Sequence, residues 1–171
     1  DIGGGLHVET NNAGIEIIDS EFINNSVSKD GGGAFIESNR GRISFLNNKF
    51  TNNNADQSGG GIFTLSALGP VKILNNTFNN NGTSGGGGGI SLLSEVAPIL
   101  FSNNTFINNS ALTLGAGMAV QTLVGTTTIT NNIFNNNSSG NQGGGIFVFA
   151  LQATLSITNN TLINNSAVNI G

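Results

Sequence analysis

A glycine-rich triplet returns every 28 residues along this chain, opening at Gly3, Gly31, Gly59, Gly87, Gly115 and Gly143. The spacing is constant, with no insertion or deletion, and only the fifth triplet departs in composition, with Ala116 at its centre. A second marker keeps the same phase: Phe22-Ile-Asn-Asn, Phe50-Thr-Asn-Asn, Phe78-Asn-Asn-Asn, Phe106-Ile-Asn-Asn, Phe134-Asn-Asn-Asn and Leu162-Ile-Asn-Asn. A fixed period of this size marks a repeat array in which each unit buries its apolar face only by stacking on its neighbours. Residues 1–171 therefore read as a single array of six coils, with no domain boundary and no linker.

The unit builds strands. No unit holds a stretch of 3.6-residue periodicity, and glycine triplets and Asn-Asn pairs break helices. Apolar residues instead recur with period 2. After each triplet, one column holds Leu6, Ala34, Ile62, Ile90, Met118 and Ile146, and the next holds Val8, Ile36, Thr64, Leu92, Val120 and Val148. A second strand carries Ile15, Ile43, Val71, Ile99, Thr127 and Leu155, and a third opens at the Phe22 to Leu162 column. Three short strands per unit, each lying on the same strand of the next, give an all-β fold. The expectation is a parallel β-helix (β-solenoid) with three short parallel sheets, about 29 Å long at about 4.8 Å per coil. Left-handed solenoids favour hexapeptide coils and 28 is not a multiple of six, so right-handed winding is expected.

Stacking accounts for the composition. Phe22, Phe50, Phe78, Phe106 and Phe134, with Leu162 in the sixth coil, form the expected structural core column. Glycine supplies positive φ at one corner, and asparagine tolerates the left-handed region at the others. Asn24, Asn52, Asn80, Asn108, Asn136 and Asn164 are expected to form an amide ladder, each side chain donating to the next. Another column reads Asp19, Asn47, Asn75, Asn103, Asn131 and Asn159. Charged residues are only 8% of the chain, against about 25% in an average domain. The net charge of -4 excludes the basic face a nucleic-acid binder needs. The absence of cysteine excludes disulfides and thiolate metal sites. No run of 18 or more apolar residues occurs, so membrane insertion as a helix is not expected.

The pairing of a Gly-Gly-Ala/Gly-aliphatic motif, as in Gly32-Gly33-Ala34-Phe35, with Phe-x-x-Asn resembles the repeats of chlamydial polymorphic outer-membrane proteins. It also resembles the related right-handed β-helix passengers of bacterial surface proteins. The resemblance covers the whole chain; Phe-x-x-Asn is met in five units, with Leu162 replacing Phe in the sixth. The chain departs from that family in having no translocator barrel and no cysteine, and in the regularity of its repeat. What the resemblance implies is a secreted, surface-displayed adhesive stalk.

Each chemical signal has a structural rival. Gly82-Thr-Ser84-Gly-Gly86 fits G-x-S-x-G, a nucleophile pattern that needs a strand-turn-helix elbow and a nearby histidine; the single histidine, His7, lies two coils away. Gly85 to Gly89 is a lengthened triplet without the Gly-Lys of a phosphate loop. No aspartate follows a triplet as in the calcium nonapeptide. Glu9 and Glu37 share an outward column, about 5 Å apart, near the separation of a retaining glycosidase pair, but only Arg40 and Arg42 stand near them in sequence and the chain has no Tyr or Trp. The many Asn-x-Ser/Thr sequons, including those at Asn24, Asn75, Asn81, Asn103, Asn108, Asn136, Asn159 and Asn164, read as corner asparagines more than as glycan acceptors. Outward Thr126, Thr128 and Thr130, above Thr154, Ser156 and Thr158, suggest a small ice-binding array confined to two coils. No catalytic residue, cofactor or metal is expected.

Charge is confined: every charged side chain except Glu95 lies within positions 1–72. An uncharged half suggests a covered, glycan-coated or assembled surface. Phe35, Phe63, Leu65, Leu93, Phe147 and Phe149 are expected to form an outward apolar interaction stripe. The chain opens Asp1-Ile2-Gly3 and closes Asn169-Ile170-Gly171, the same repeat phase, without distinct caps. That predicts either an excerpt of a longer solenoid or head-to-tail stacking of copies into a filament. The functional expectation is an extracellular, cell-surface rod, structural and adhesive. Its partners would be other copies, flanking coils, or a host-surface or glycan ligand. The competing expectation is a polysaccharide-acting enzyme on the same scaffold.

Overall fold

The computed structural model describes residues 1–168; Asn169, Ile170 and Gly171 lie outside the described residues, and with them the expected phase match between the chain's ends. The first four coils carry four strands each, one more than the period-2 pattern announces. In the first coil these are β1 (Leu6–Thr10), β2 (Ile15–Ile18), β3 (Glu21–Ile23) and β4 (Ser26–Val27). The counterparts of β4, such as Asn54–Ala55 and Ser110–Ala111, are too short to show alternation. All pairing is parallel and steps by one coil: Leu6 pairs with Ala34, Phe50 with Phe78, and Asn54 with Gly82.

The strands form three sheets, but not one sheet per strand column. The counterparts of β3 and of β4 make two 6-stranded sheets, while those of β1 and β2 join into one 10-stranded sheet. They join in the fifth coil, where the two strands fuse into Met118–Thr130, and the sixth repeats this as Ile146–Thr158. Pro70 and Pro98 stand just before the second strand in coils three and four. Proline has no N–H to donate to a ladder. Thr126 and Thr154 take that place in the last two coils, where pairing runs on through Gly125↔Ala153 and Thr126↔Thr154.

The interior is a stack of columns. Phe50, Phe78, Phe106 and Phe134 are fully buried, and the rings from Phe22 to Phe134 lie nearly parallel with centroids 4.6 to 5.1 Å apart. Phe22 is half-buried and Leu162 is 53% exposed. The expected core role of Leu162 is corrected by its place: a stacked side chain is sealed only by a coil on each side, and no described coil lies beyond Leu162. Phe45, Ile73, Phe101 and Ile129 fill the second strand's inner face, all fully buried.

The expected asparagine ladder is displaced by one residue. Asn24, Asn52, Asn80, Asn108, Asn136 and Asn164 are exposed and hold φ between 51° and 57°. Their task is the left-handed corner; among them only Asn52→Asn24 and Asn80→Asn52 amide bonds form, at 3.2 and 2.7 Å. The buried ladder is the next column, Asn25, Asn53, Asn81, Asn109, Asn137 and Asn165. Asn81 shows the pattern. Its Nδ2 donates to Asn109 Oδ1 at 3.1 Å and to the Phe50 carbonyl at 2.9 Å. Its Oδ1 accepts from the Asn53 backbone N–H and from Asn53 Nδ2, both at 3.0 Å. Two donors and two lone pairs are all used, which is the full capacity of an amide. A second buried ladder runs through Asn48, Asn76, Asn104, Asn132 and Asn160 at the preceding corner. There the left-handed residues are Asp19, Asn47 and their successors.

Candidate functional site

Side chains that can do chemistry project from the outside of the early coils, because alternation leaves the inside to apolar and ladder residues. Three of the five glutamates are occupied. Glu9 Oε1 lies 2.8 Å from His7 Nε2, and the His7 ring sits edge-on to Phe35 at 5.2 Å. Arg42 donates to Glu16 from the next coil. Lys49 Nζ donates to Glu21 Oε1 at 2.7 Å, and this hydrogen bond, with the charge behind it, holds the ammonium above its ordinary pKa. Glu37 stands in register with Glu9, but of that neighbouring pair only Glu9 is engaged, by His7.

The remaining two glutamates, Glu37 and Glu95, make no ion pair and no side-chain hydrogen bond among the described residues. Both line a single groove of about 530 Å³. One wall is the outward column of the first strand: Glu37, Leu65, Leu93 and Gln121. The other wall is the segment that leaves that strand, a turn at Asn39, Ala67 and Glu95 and part of the fused strand at Leu123. Between them Ser38, Ser66 and Ser94 form the floor, their side chains turned inward and buried. The groove thus runs along the axis from coil two to coil five. Leu68, Val96 and Val124, which follow Ala67, Glu95 and Leu123 in sequence, are all exposed.

The expected apolar stripe is corrected in part. Phe35 and Phe63 are only 5% and 7% exposed although they point away from the core. The turn that precedes each triplet folds over their column: a methyl on Gly86 would lie 3.4 Å from Leu114 Cβ and 3.6 Å from Ala119 Cβ, the residue in line with Phe63. The two phenylalanines also stack on each other at 5.4 Å. Leu65 and Leu93 are half-buried as groove wall, Phe147 is half-buried, and Phe149 is 46% exposed. What the sequence analysis missed is the concavity. A partial signal was present in the pair Leu65 and Leu93, aliphatic residues at the same outward position of the strand in successive coils.

The other candidates stay apart. Ser84 is exposed on the corner after Gly82–Thr83, and His7 is engaged with Glu9 in the first coil. Seven of those eight sequon asparagines are exposed, whereas Asn81 is buried with its amide fully bonded. Thr130 and Thr158 hydroxyls meet at 3.1 Å in the two-coil threonine array. Among the described residues no three His, Asp or Glu side chains gather as metal ligands, and no helix is long and apolar enough to cross a membrane. A family model described as "Right handed beta helix region" matches residues 4–171. No curated protein and no solved structure matches the chain.

Proposed function

Since the chain belongs to the right-handed β-helix family, whose members include catalysts and non-catalysts alike, we propose that it is a non-catalytic rod segment of a secreted or cell-surface protein, structural and adhesive in role. The observation that carries this reading is the unbroken bonding along the axis. Two buried amide ladders, a phenylalanine stack and three parallel sheets tie each coil to the next. Such axial continuity suits a stiff spacer, because neighbouring coils contribute the nearest-neighbour terms that hold a solenoid together. The motif resemblance to chlamydial polymorphic outer-membrane proteins supports a surface location. Antibodies against the chain are expected to label intact cells of its source; label confined to lysed cells would overturn the location.

The second reading is a polysaccharide-acting enzyme, favoured by the register of Glu9 with Glu37 beside His7. It predicts reducing ends released from acidic or neutral polysaccharides and lost in Glu37→Gln. The rod reading predicts none from either protein.

A further inference from the structure

The two glutamates without a partner are the two that line the groove. The three others have partners in His7, Arg42 and Lys49. No cation lines the groove either; Arg40 follows Asn39 in sequence but is not among the lining residues. From this we infer that the groove is a docking site for an extended, basic segment of a partner protein, with cationic side chains at positions i and i+3. The inference deepens the adhesive reading and rests on it.

The spacing argues for that segment. Glu37 belongs to coil two and Glu95 to coil four, so they stand about 10 Å apart along the axis at about 4.8 Å per coil. They also stand on opposite walls, Glu37 on the strand side and Glu95 on the turn side. An extended chain advances about 3.3 Å per residue, and its side chains alternate between two sides. Residues i and i+3 are therefore about 10 Å apart and face opposite walls. Of the two residues between them, i+2 faces Leu65 and Leu93 on the strand wall and i+1 faces Ala67 on the turn wall, in the stretch between the carboxylates. Main-chain groups of the guest would lie over the Ser38–Ser66–Ser94 floor. Apolar residues also follow the turn wall in sequence: Leu68, Val96 and Val124, each next to a lining residue, are exposed. That favours a macromolecular guest over a free polyamine, which would leave them bare. Recognition by an acidic, apolar channel is a charge-complementary version of extended-peptide capture.

The test is titration of the full chain with a short peptide carrying two lysines at i and i+3 separated by two valines. The expected result is saturable binding that weakens about 2–5-fold in Glu37→Gln or Glu95→Gln, and about 5–20-fold in the double variant, as two exposed ion pairs allow. Moving the lysines to i and i+2 should weaken binding comparably, because both then face one wall. Asp56→Asn, exposed on another corner, should leave binding unchanged and so separates the site from net charge. Circular dichroism of the glutamate variants should match the parent, since neither carboxylate supports another group. The proposal is overturned by an absence of saturable binding, by equal binding to the double variant or to the i, i+2 peptide, or by spermidine competing more tightly than the peptide. Failure here would leave surface labelling, the test of the rod reading, untouched.

Discussion

In each Asn-Asn corner the first residue sets the backbone and the second fills the coil. Asn80 holds φ at 55° and points to solvent, while Asn81 is 1% exposed and makes four side-chain hydrogen bonds. Asn81→Ala should therefore cost more than about 3 kcal/mol, since it strands several buried donors and acceptors at once. Asn80→Gly should be close to neutral, because glycine adopts positive φ freely; equal denaturant midpoints for Asn81→Ala and Asn80→Gly would contradict this division. The distinction was half legible. The Phe-x-x-Asn motif already picks out Asn81, but an asparagine pair does not announce which member turns the chain, since both residues have the same propensity. Thr64 is the converse case, a fully buried hydroxyl without a partner in a column with Ile36 and Leu92. Thr64→Val keeps the shape and removes the unmet polar group, so thermal denaturation should show a gain of about 1 kcal/mol. Asp30 adds a pH dependence. Burial raises its pKa, only partly offset by a backbone hydrogen bond from Ser58 and the charge of Lys29. Ionisation is thus harder folded than unfolded, and the native state loses stability as pH climbs from the ordinary carboxylate range to the raised value. Asp30→Asn should be more stable than the parent near pH 7, and the difference should vanish by about pH 3.

At the scale of the element, the first strand and its triplet show what periodicity conveys and what it hides. Alternation placed Ile36, Ile62 and Leu92 inside, where they are fully buried. It also placed Phe35 and Phe63 outside, which is their direction but not their exposure. Burial from the outer side comes from the turn before the triplet, and a turn's path over a strand leaves no period in the sequence. The fourth strand was hidden for a related reason: two residues cannot display an alternation. The triplet itself was legible as a corner, yet its positions differ. Gly59 holds φ at 67°, and an added methyl would meet the Ile62 carbonyl oxygen at 2.3 Å. In the fifth coil the middle position, where φ is not positive, carries a methyl: Ala116 is 0% exposed. Gly59→Ala should therefore cost about 2–4 kcal/mol from left-handed strain and the displaced strand. Ala116→Gly should cost about 1 kcal/mol or less. Similar losses of denaturation midpoint in the two variants would show that the first glycine is not conformationally required.

Over the whole molecule, one constant step organises every interaction, from the backbone pairs to the ladders and the ring stack. Fold class was legible for that reason, since a period without insertions admits stacking and little else. The groove was less so, because its walls belong to a strand and a turn whose relative depth is set by packing. The charge distribution follows the same axis: the cross-coil ion pairs join coils one and two, and no charged residue follows Glu95. If coils interact only with their neighbours, a whole coil is removable. Deleting residues 59–86 joins Ser58 to Gly87 and keeps every column in phase. Phe50 would then meet Phe106, Asn53 would meet Asn109, and Asn48 would meet Asn104, each copying a contact present between adjacent coils. The five-coil protein should fold cooperatively, with a denaturant m-value lower by about one-sixth because one coil's surface is missing. Deleting residues 59–72 instead removes the third coil's triplet, its first strand and the opening Val71 and Lys72 of its second strand while keeping its ladder residues. Phe50 and Phe78 in that chain are then only 14 residues apart, half the step that brings stacked residues into register, so the phenylalanine and asparagine columns on the two sides of the cut cannot meet, and Ala34 and Ile36 lose their partners on one side. It should be markedly less stable than the five-coil protein although it is longer. Equal stability in the two deletions would refute nearest-neighbour stacking as the source of the fold, since chain length alone would then outweigh register.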